Sequence, residues 1–127
     1  MMYPRSVAIN KNGIERELNM PQAKFIVVVS TVPNEDVGKK IASTLLAKKL
    51  VPCVNIIPNV RSIYTWKGEV HDEPELVMIM KTRASLFESL RDEIKANHPY
   101  EVPEIIAVPV LNGYPPYLDW IRENTID

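Results

Sequence analysis

Two strand-like runs of unusual length meet at a two-residue turn: Val54 to Trp66 (VNIIPNVRSIYTW) and Glu69 to Thr82, joined by Lys67-Gly68. Such a pairing predicts a long β-hairpin. A strand over Val54 to Trp66 spans ~43 Å at ~3.3 Å per residue. A domain of about 100 residues has a radius of gyration near 13 Å, hence a diameter of roughly 34 Å. The hairpin is therefore expected to overhang its own domain. Its tip carries Ile63, Tyr64 and Trp66, and each large apolar side chain left in water forgoes roughly 1.5 to 3 kcal/mol. An open edge bearing aromatics also invites pairing with another chain. Two arrangements answer both problems: assembly with copies of the same chain, or a hairpin that bends back on its own core. Pro58 and Pro74 fall inside the runs, where a missing N–H would break a central ladder, so edge positions or bulges are expected there.

The flanking segments supply the rest of one domain. Phe25 to Val29 is a continuous apolar, mostly β-branched run that Pro33-Asn34 stops, the pattern of a central strand covered on both faces. Asn34 can cap the helix that follows, with Glu35 and Asp36 in its first turn, Val37, Ile41 and Leu45 on one stripe, and Lys48 and Lys49 at its negative end. Gly38 costs that helix about 1 kcal/mol relative to alanine, which burial must offset. A second helix is expected from the capping-box spacing of Ser85 and Glu88 and the stripe Leu86, Leu90, Ile94, ending at Asn97-His98-Pro99. Glu104 to Val110 reads as a further buried strand, and Tyr114 to Glu123 as a short helix docked on the body. The order βαββαβ plus a terminal helix predicts an α+β, ferredoxin-like fold: one antiparallel sheet with both main helices on one face. The other face then has one short helix to cover it, a second reason to expect self-assembly. Residues 1–22 mix Asn, Arg, Glu and Pro without period and are assigned to a flexible N-terminal extension, leaving 23–127 as a single domain.

Charge and cysteine content exclude several classes. A formal charge of -1 gives no footprint for nucleic acid, whose phosphates call for a clustered basic face. A single cysteine, Cys53, precludes an internal disulfide, and the absence of CxxC removes the usual structural zinc patterns. The chain has no run of roughly 20 apolar residues and no secretory signal at its start, so a cytoplasmic, reducing setting is expected and no membrane partner. Catalysis finds no support: the chain has no phosphate-cradling glycine loop, no HExxH and no nucleophile elbow.

The series Cys53-Val54-Asn55, Tyr64-Thr65-Trp66-Lys67-Gly68, Glu75 leading to Met80-Lys81-Thr82, His98-Pro99-Tyr100-Glu101-Val102-Pro103-Glu104, and Tyr117-Leu118-Asp119-Trp120-Ile121 resembles the CutA divalent-cation-tolerance family. The match runs in unbroken order from about Lys24 to Asn124. The resemblance implies a ferredoxin-like subunit in a tight homotrimer whose long hairpins pack between neighbours. It also implies a role in copper and divalent-metal tolerance, with no established enzyme activity. Animal members are linked to anchoring or maturation of acetylcholinesterase, and the trimeric form looks like that of the PII signalling proteins, an analogy of fold. Bacterial members with a proposed copper site place a cysteine before the Thr at the end of the first strand and two histidines before Pro-Tyr. Ser30 and Asn97 stand at those positions here, leaving His98.

His98 and Cys53 are the natural donors for copper or another divalent cation, because imidazole and thiolate both suit such metals. One of each per chain requires a threefold axis to complete a site. The alternative is structural: His98 ends the second helix and Cys53 packs as a small hydrophobe. Tyr64, Trp66, Glu75, Lys81, Tyr100 and Glu104 are candidates for an intersubunit cleft, suited to a small anionic or amphipathic ligand or to a protein partner. The alternative is an interfacial network of ion pairs and rings. His71 is expected to be an exposed strand residue.

Overall fold

A computed structural model describes residues 7–9, 11–13, 15–17 and 23–127. Two short strands, β1 (Val7–Ile9) and β2 (Glu15–Glu17), form an antiparallel pair. The remainder of the expected extension over 1–22 lies outside the described residues.

The third strand, β3 (Phe25–Val32), occupies the centre of the main sheet. Period-two alternation sends Ile26, Val28, Ser30 and Val32 to one face, where all four are buried. Asn34 then starts α1 (Glu35–Ala47) by accepting the Val37 N–H on its side-chain oxygen at 2.9 Å. Gly38 is buried against the sheet: a Cβ there would lie 3.3 Å from Val32 Cγ2 and 3.5 Å from Ile56 Cδ1, so its helix cost is offset by close packing. The helix ends at Lys48, and Lys49 turns the chain away with φ 54°, a left-handed conformation unusual for lysine.

The hairpin follows as β4 (Val54–Trp66) and β5 (Glu69–Arg83). Its turn residues Lys67 and Gly68 have φ 50° and 80°, both positive as a two-residue turn requires when its twist matches the strands. The register slips once. Ile57 pairs with Val77 but Val60 with Glu75, leaving one extra residue in β4 around Pro58 and Asn59, whose φ is 62°. Both prolines thus avoid a central ladder. Pro58 sits at the bulge of an edge strand, and Pro74 lies where β5 has β4 alone as neighbour.

A 3₁₀ turn (Ala84–Leu86) leads into α2 (Phe87–Asn97). The capping box expected from Ser85 and Glu88 does not form: Ser85 falls inside the 3₁₀ turn, and no side chain caps either helical start. The Ala84 N–H is instead taken by Lys24 O at 2.9 Å, so the strand ladder ends by running directly into the helical turn. β6 (Ile105–Pro109) pairs antiparallel with β3, and α3 (Pro115–Glu123) closes the chain. The sheet order β4-β5-β3-β6, all antiparallel, is the ferredoxin-like arrangement anticipated from the element order.

One face of the sheet holds the core: Ile26, Val28, Val32, Met78 and Met80 pack against Ile41 and Leu45 of α1 and Leu90 and Ile94 of α2. The opposite face is covered at one end. There the Arg122 guanidinium of α3 sits 5.2 Å from the Phe25 ring, and Arg83 donates to Thr125 Oγ1 at 2.8 Å and to Arg122 O at 2.6 Å. Beyond α3 the register carries Val27, Val29, Ile57, Val77, Ile79, Ile106 and Val108 across that face. Ile57, Ile106 and Val108 are 45%, 53% and 51% exposed. The expectation of a buried strand over Glu104 to Val110 is therefore corrected: β6 is an edge strand whose outward side chains are open. Its continuous apolar run calls for cover on both faces, and within one chain Ile105 alone of its five residues is partly covered.

Candidate functional site

The bulge of β4 decides what the hairpin arm presents. Were the same sequence paired without a bulge, odd-numbered β4 positions would continue along the open face; past the bulge, Ser62, Tyr64 and Trp66 pair with Glu73, His71 and Glu69 and share the face of Glu75. The contacts agree with that register. Tyr64 stacks on His71 with centroids 5.3 Å apart, and its hydroxyl donates to Glu73 Oε2 at 3.1 Å. His71 is thus a half-buried ring partner rather than the exposed strand residue expected.

Beyond Val32 the arm has no third strand among the described residues, and the loop between α2 and β6 comes alongside it. Lys67 at the turn lies 3.8 Å from Glu101 in that loop. The overhang therefore exists as sheet pairing, while its tip approaches the body. Between arm and loop lies an open cavity of about 850 Å³, walled by Tyr64, Trp66, Glu75, Tyr100 and Glu104, with Thr31 at the end of β3. These include five of the six residues picked out as a cleft. The sixth, Lys81, lies six positions along β5 from Glu75, ~20 Å away at ~3.3 Å per residue, and donates to Asn55 Oδ1 at 2.6 Å.

Glu75 is 6% exposed, and its Oε2 accepts the Tyr100 hydroxyl at 2.9 Å. Burial, then the hydrogen bond to Glu75 and the neighbouring carboxylate charge, hold the Tyr100 phenol well above the usual tyrosine range. The pair is a carboxylate with a fixed neutral donor.

His98 is fully engaged with backbone. Its Nε2 lies 2.7 Å from Thr31 O and its Nδ1 lies 3.1 Å from the Tyr100 N–H. A carbonyl accepts and an amide donates, so the proton sits on Nε2 and the Nδ1 lone pair is occupied. Cys53 is half-buried just before Val54, which is level with Met80 and Val28. Thr31 lies three residues further along β3, ~10 Å at ~3.3 Å per residue, and two strands away laterally. One chain thus does not bring Cys53 and His98 to a common point, and no cluster of three His, Cys, Asp or Glu donors occurs among the described residues. The donors of a single chain do not fit a closed copper or zinc site.

Sequence reading missed Thr31, Arg61, Ser62 and Glu73. The signal available was Pro58-Asn59, which marks a bulge; the change of face that follows depends on the register of the partner strand. Ser30 is 0% exposed, and its hydroxyl has no hydrogen-bond partner among the described residues. No helix among the described residues is long and apolar enough to cross a membrane.

The curated protein CutA of Arabidopsis thaliana, named chloroplastic, is 43% identical over 114 residues, 90% of this chain and 63% of that protein. This chain thus spans less than two thirds of that relative's length. The divalent-cation tolerance protein CutA of Thermus thermophilus is 50% identical over 99 residues, 78% of this chain and 96% of that protein. The crystal structure of CutA1 from Oryza sativa superposes with a TM-score of 0.80 at 44% identity, covering 83% of this chain and 96% of that one. Residues 26–124, which include the hairpin arm, the cavity loop and α3, match the family described as CutA1 divalent ion tolerance protein. With sequence and overall fold in agreement, this chain belongs to the CutA1 divalent ion tolerance family.

Proposed function

We propose that the chain acts as a homotrimer in the response to divalent cations, with the cavity between hairpin arm and loop as its recognition site, in a cytoplasmic setting. The observation that carries this reading is the apolar sheet face left open beyond α3. Ile57, Ile106 and Val108 stay about half exposed there, and each stands to gain on the order of 1 kcal/mol when covered. Threefold closure is what the family resemblance implies, and it would seat each arm against a neighbour. Light scattering at micromolar concentration tests the assembly: three times the 14.5 kDa of the chain is expected, and a stable single-chain particle refutes it.

A metal held by His98 and Cys53 is the finer version of this reading. It would draw donors from more than one copy and would displace a backbone hydrogen bond of His98. Calorimetry with Cu(II) and Zn(II) is the test; binding unchanged in a His98→Ala, Cys53→Ala double variant removes these two residues as ligands. A second reading, a non-catalytic ligand sensor or protein scaffold analogous to the PII proteins, is favoured by the cavity itself, whose size falls within the range of small-molecule sites.

A further inference from the structure

The cavity wall is predominantly acidic, with three carboxylates, Glu75, Glu101 and Glu104, against one cation, Arg61. Lys81, the cation that sequence reading grouped with these carboxylates, is absent from its wall. Arg61 is committed through Nε to Asp72 Oδ1 at 2.7 Å. Of the three carboxylates Glu101 is paired with Lys67, which leaves Glu75 and Glu104 for a guest, together with the rings of Tyr64, Trp66 and Tyr100. The Tyr100 hydroxyl satisfies one oxygen of the buried Glu75 but does not neutralise it, and a desolvated carboxylate favours a cationic partner. Aromatic faces carry negative potential and favour the same sign of guest. The rim already displays this chemistry: Lys67 Nζ stands 5.6 Å from the Trp66 ring centroid and 3.8 Å from Glu101. A bare metal dication would need a set of three converging donors that the described residues do not offer.

We infer that this cavity binds a small organic ammonium ion, its N–H groups on Glu75 and Glu104 and its carbon body against Tyr64, Trp66 and Tyr100. The inference rests on the reading of the cavity as a recognition site and reverses the ligand charge expected from sequence. Size and charge select together. Two carboxylates attract the ammonium head, three rings reward an apolar body, and the same carboxylates repel an anion of equal size.

Calorimetry of the full chain with butylamine and 1,4-diaminobutane, and with butyrate as the anion of matched size, tests it. Saturable amine binding is expected, weakened at least tenfold in Glu75→Gln and in Trp66→Leu, reduced by added salt, and absent for butyrate. Circular dichroism of each variant checks the fold; should Glu75→Gln not fold, Trp66→Leu decides. The inference is overturned if the wild type shows no saturable amine binding, if butyrate binds as well, or if the folded variants keep wild-type affinity. Sedimentation run in parallel separates the two claims. An intact oligomer that ignores amines sinks this inference alone, and a single-chain particle that binds them sinks the assembly alone.

Discussion

Replacing Ser30 by alanine should make this protein more stable. Ser30 lies on the core face of β3, level with Met78 of β5 and Ile105 of β6, and it is entirely buried. Its hydroxyl was removed from water without a partner among the described residues, a penalty of about 1–3 kcal/mol. Ser30→Ala removes that penalty and leaves a void smaller than a methyl group, which costs less than about 1 kcal/mol. The net expectation is a gain of about 1 kcal/mol per chain. For a chain of this length that raises the thermal midpoint by about 3–6 °C. Guanidinium unfolding followed by tryptophan fluorescence, at one fixed protein concentration because assembly shifts apparent stability, should show a higher midpoint with an unchanged slope. Ser30→Cys should behave similarly, since a buried thiol is a weaker donor and tolerates apolar surroundings. A loss of about 1 kcal/mol or more in Ser30→Ala refutes the reasoning and means that the hydroxyl serves an internal water.

Deleting Asn59 should remove the β4 bulge yet leave Tyr64 opposite His71 and Trp66 opposite Glu69, so the Tyr64 hydroxyl contact to Glu73, read by NMR, should persist; its loss would show that the arm needs the bulge for more than register. Tyr100→Phe takes the donor from buried Glu75 and should cost about 1.5–3 kcal/mol in chemical denaturation near neutral pH. Because the folded phenol lies above the ordinary value of 10.0, its contribution is full below that pH and is lost as pH rises through the folded value; Tyr100→Phe should flatten that alkaline loss. Lys49→Gly relieves a left-handed residue after α1 and should stabilise by about 1 kcal/mol, measured by the same denaturation. Asn34→Ala should cost about 1 kcal/mol through loss of the cap on Val37.

The fold was legible because each element announces itself locally. The β-branched run from Ile26 to Val29, the Asn34 cap and the two-residue Lys67-Gly68 turn need no partner to be read. Ser85 and Glu88 misled because capping-box spacing says nothing of the strand that enters the helix, whose last ladder bond fixes Ala84 first. Glu104 to Val110 misled for another reason. Its apolar run signals that both sides want cover, and within a single chain Ile105 alone of its five residues receives even part of it. In the candidate site, five cleft residues fell together because the arm and the loop meet; Lys81 did not, because six residues of extended chain separate it from Glu75. Residue type suggested His98 as a metal donor, and the backbone partners that occupy its ring are visible only in three dimensions.

From Val60 and Glu75 outward, the hairpin is a ribbon of two strands with no third beside it among the described residues. Such a ribbon is marginally stable in water by itself, whereas the body beneath it has a complete core. The two parts should therefore mature at different times. The body can reach its final form as a lone molecule, and the arm, held there by the loop through Tyr100 and Glu101, would lock fully only when a further surface lies against it. Amide hydrogen exchange would register that order: protection in β3 should not depend on dilution, while protection between Arg61 and Pro74 should fade as the protein is diluted, making the arm a clock for encounter.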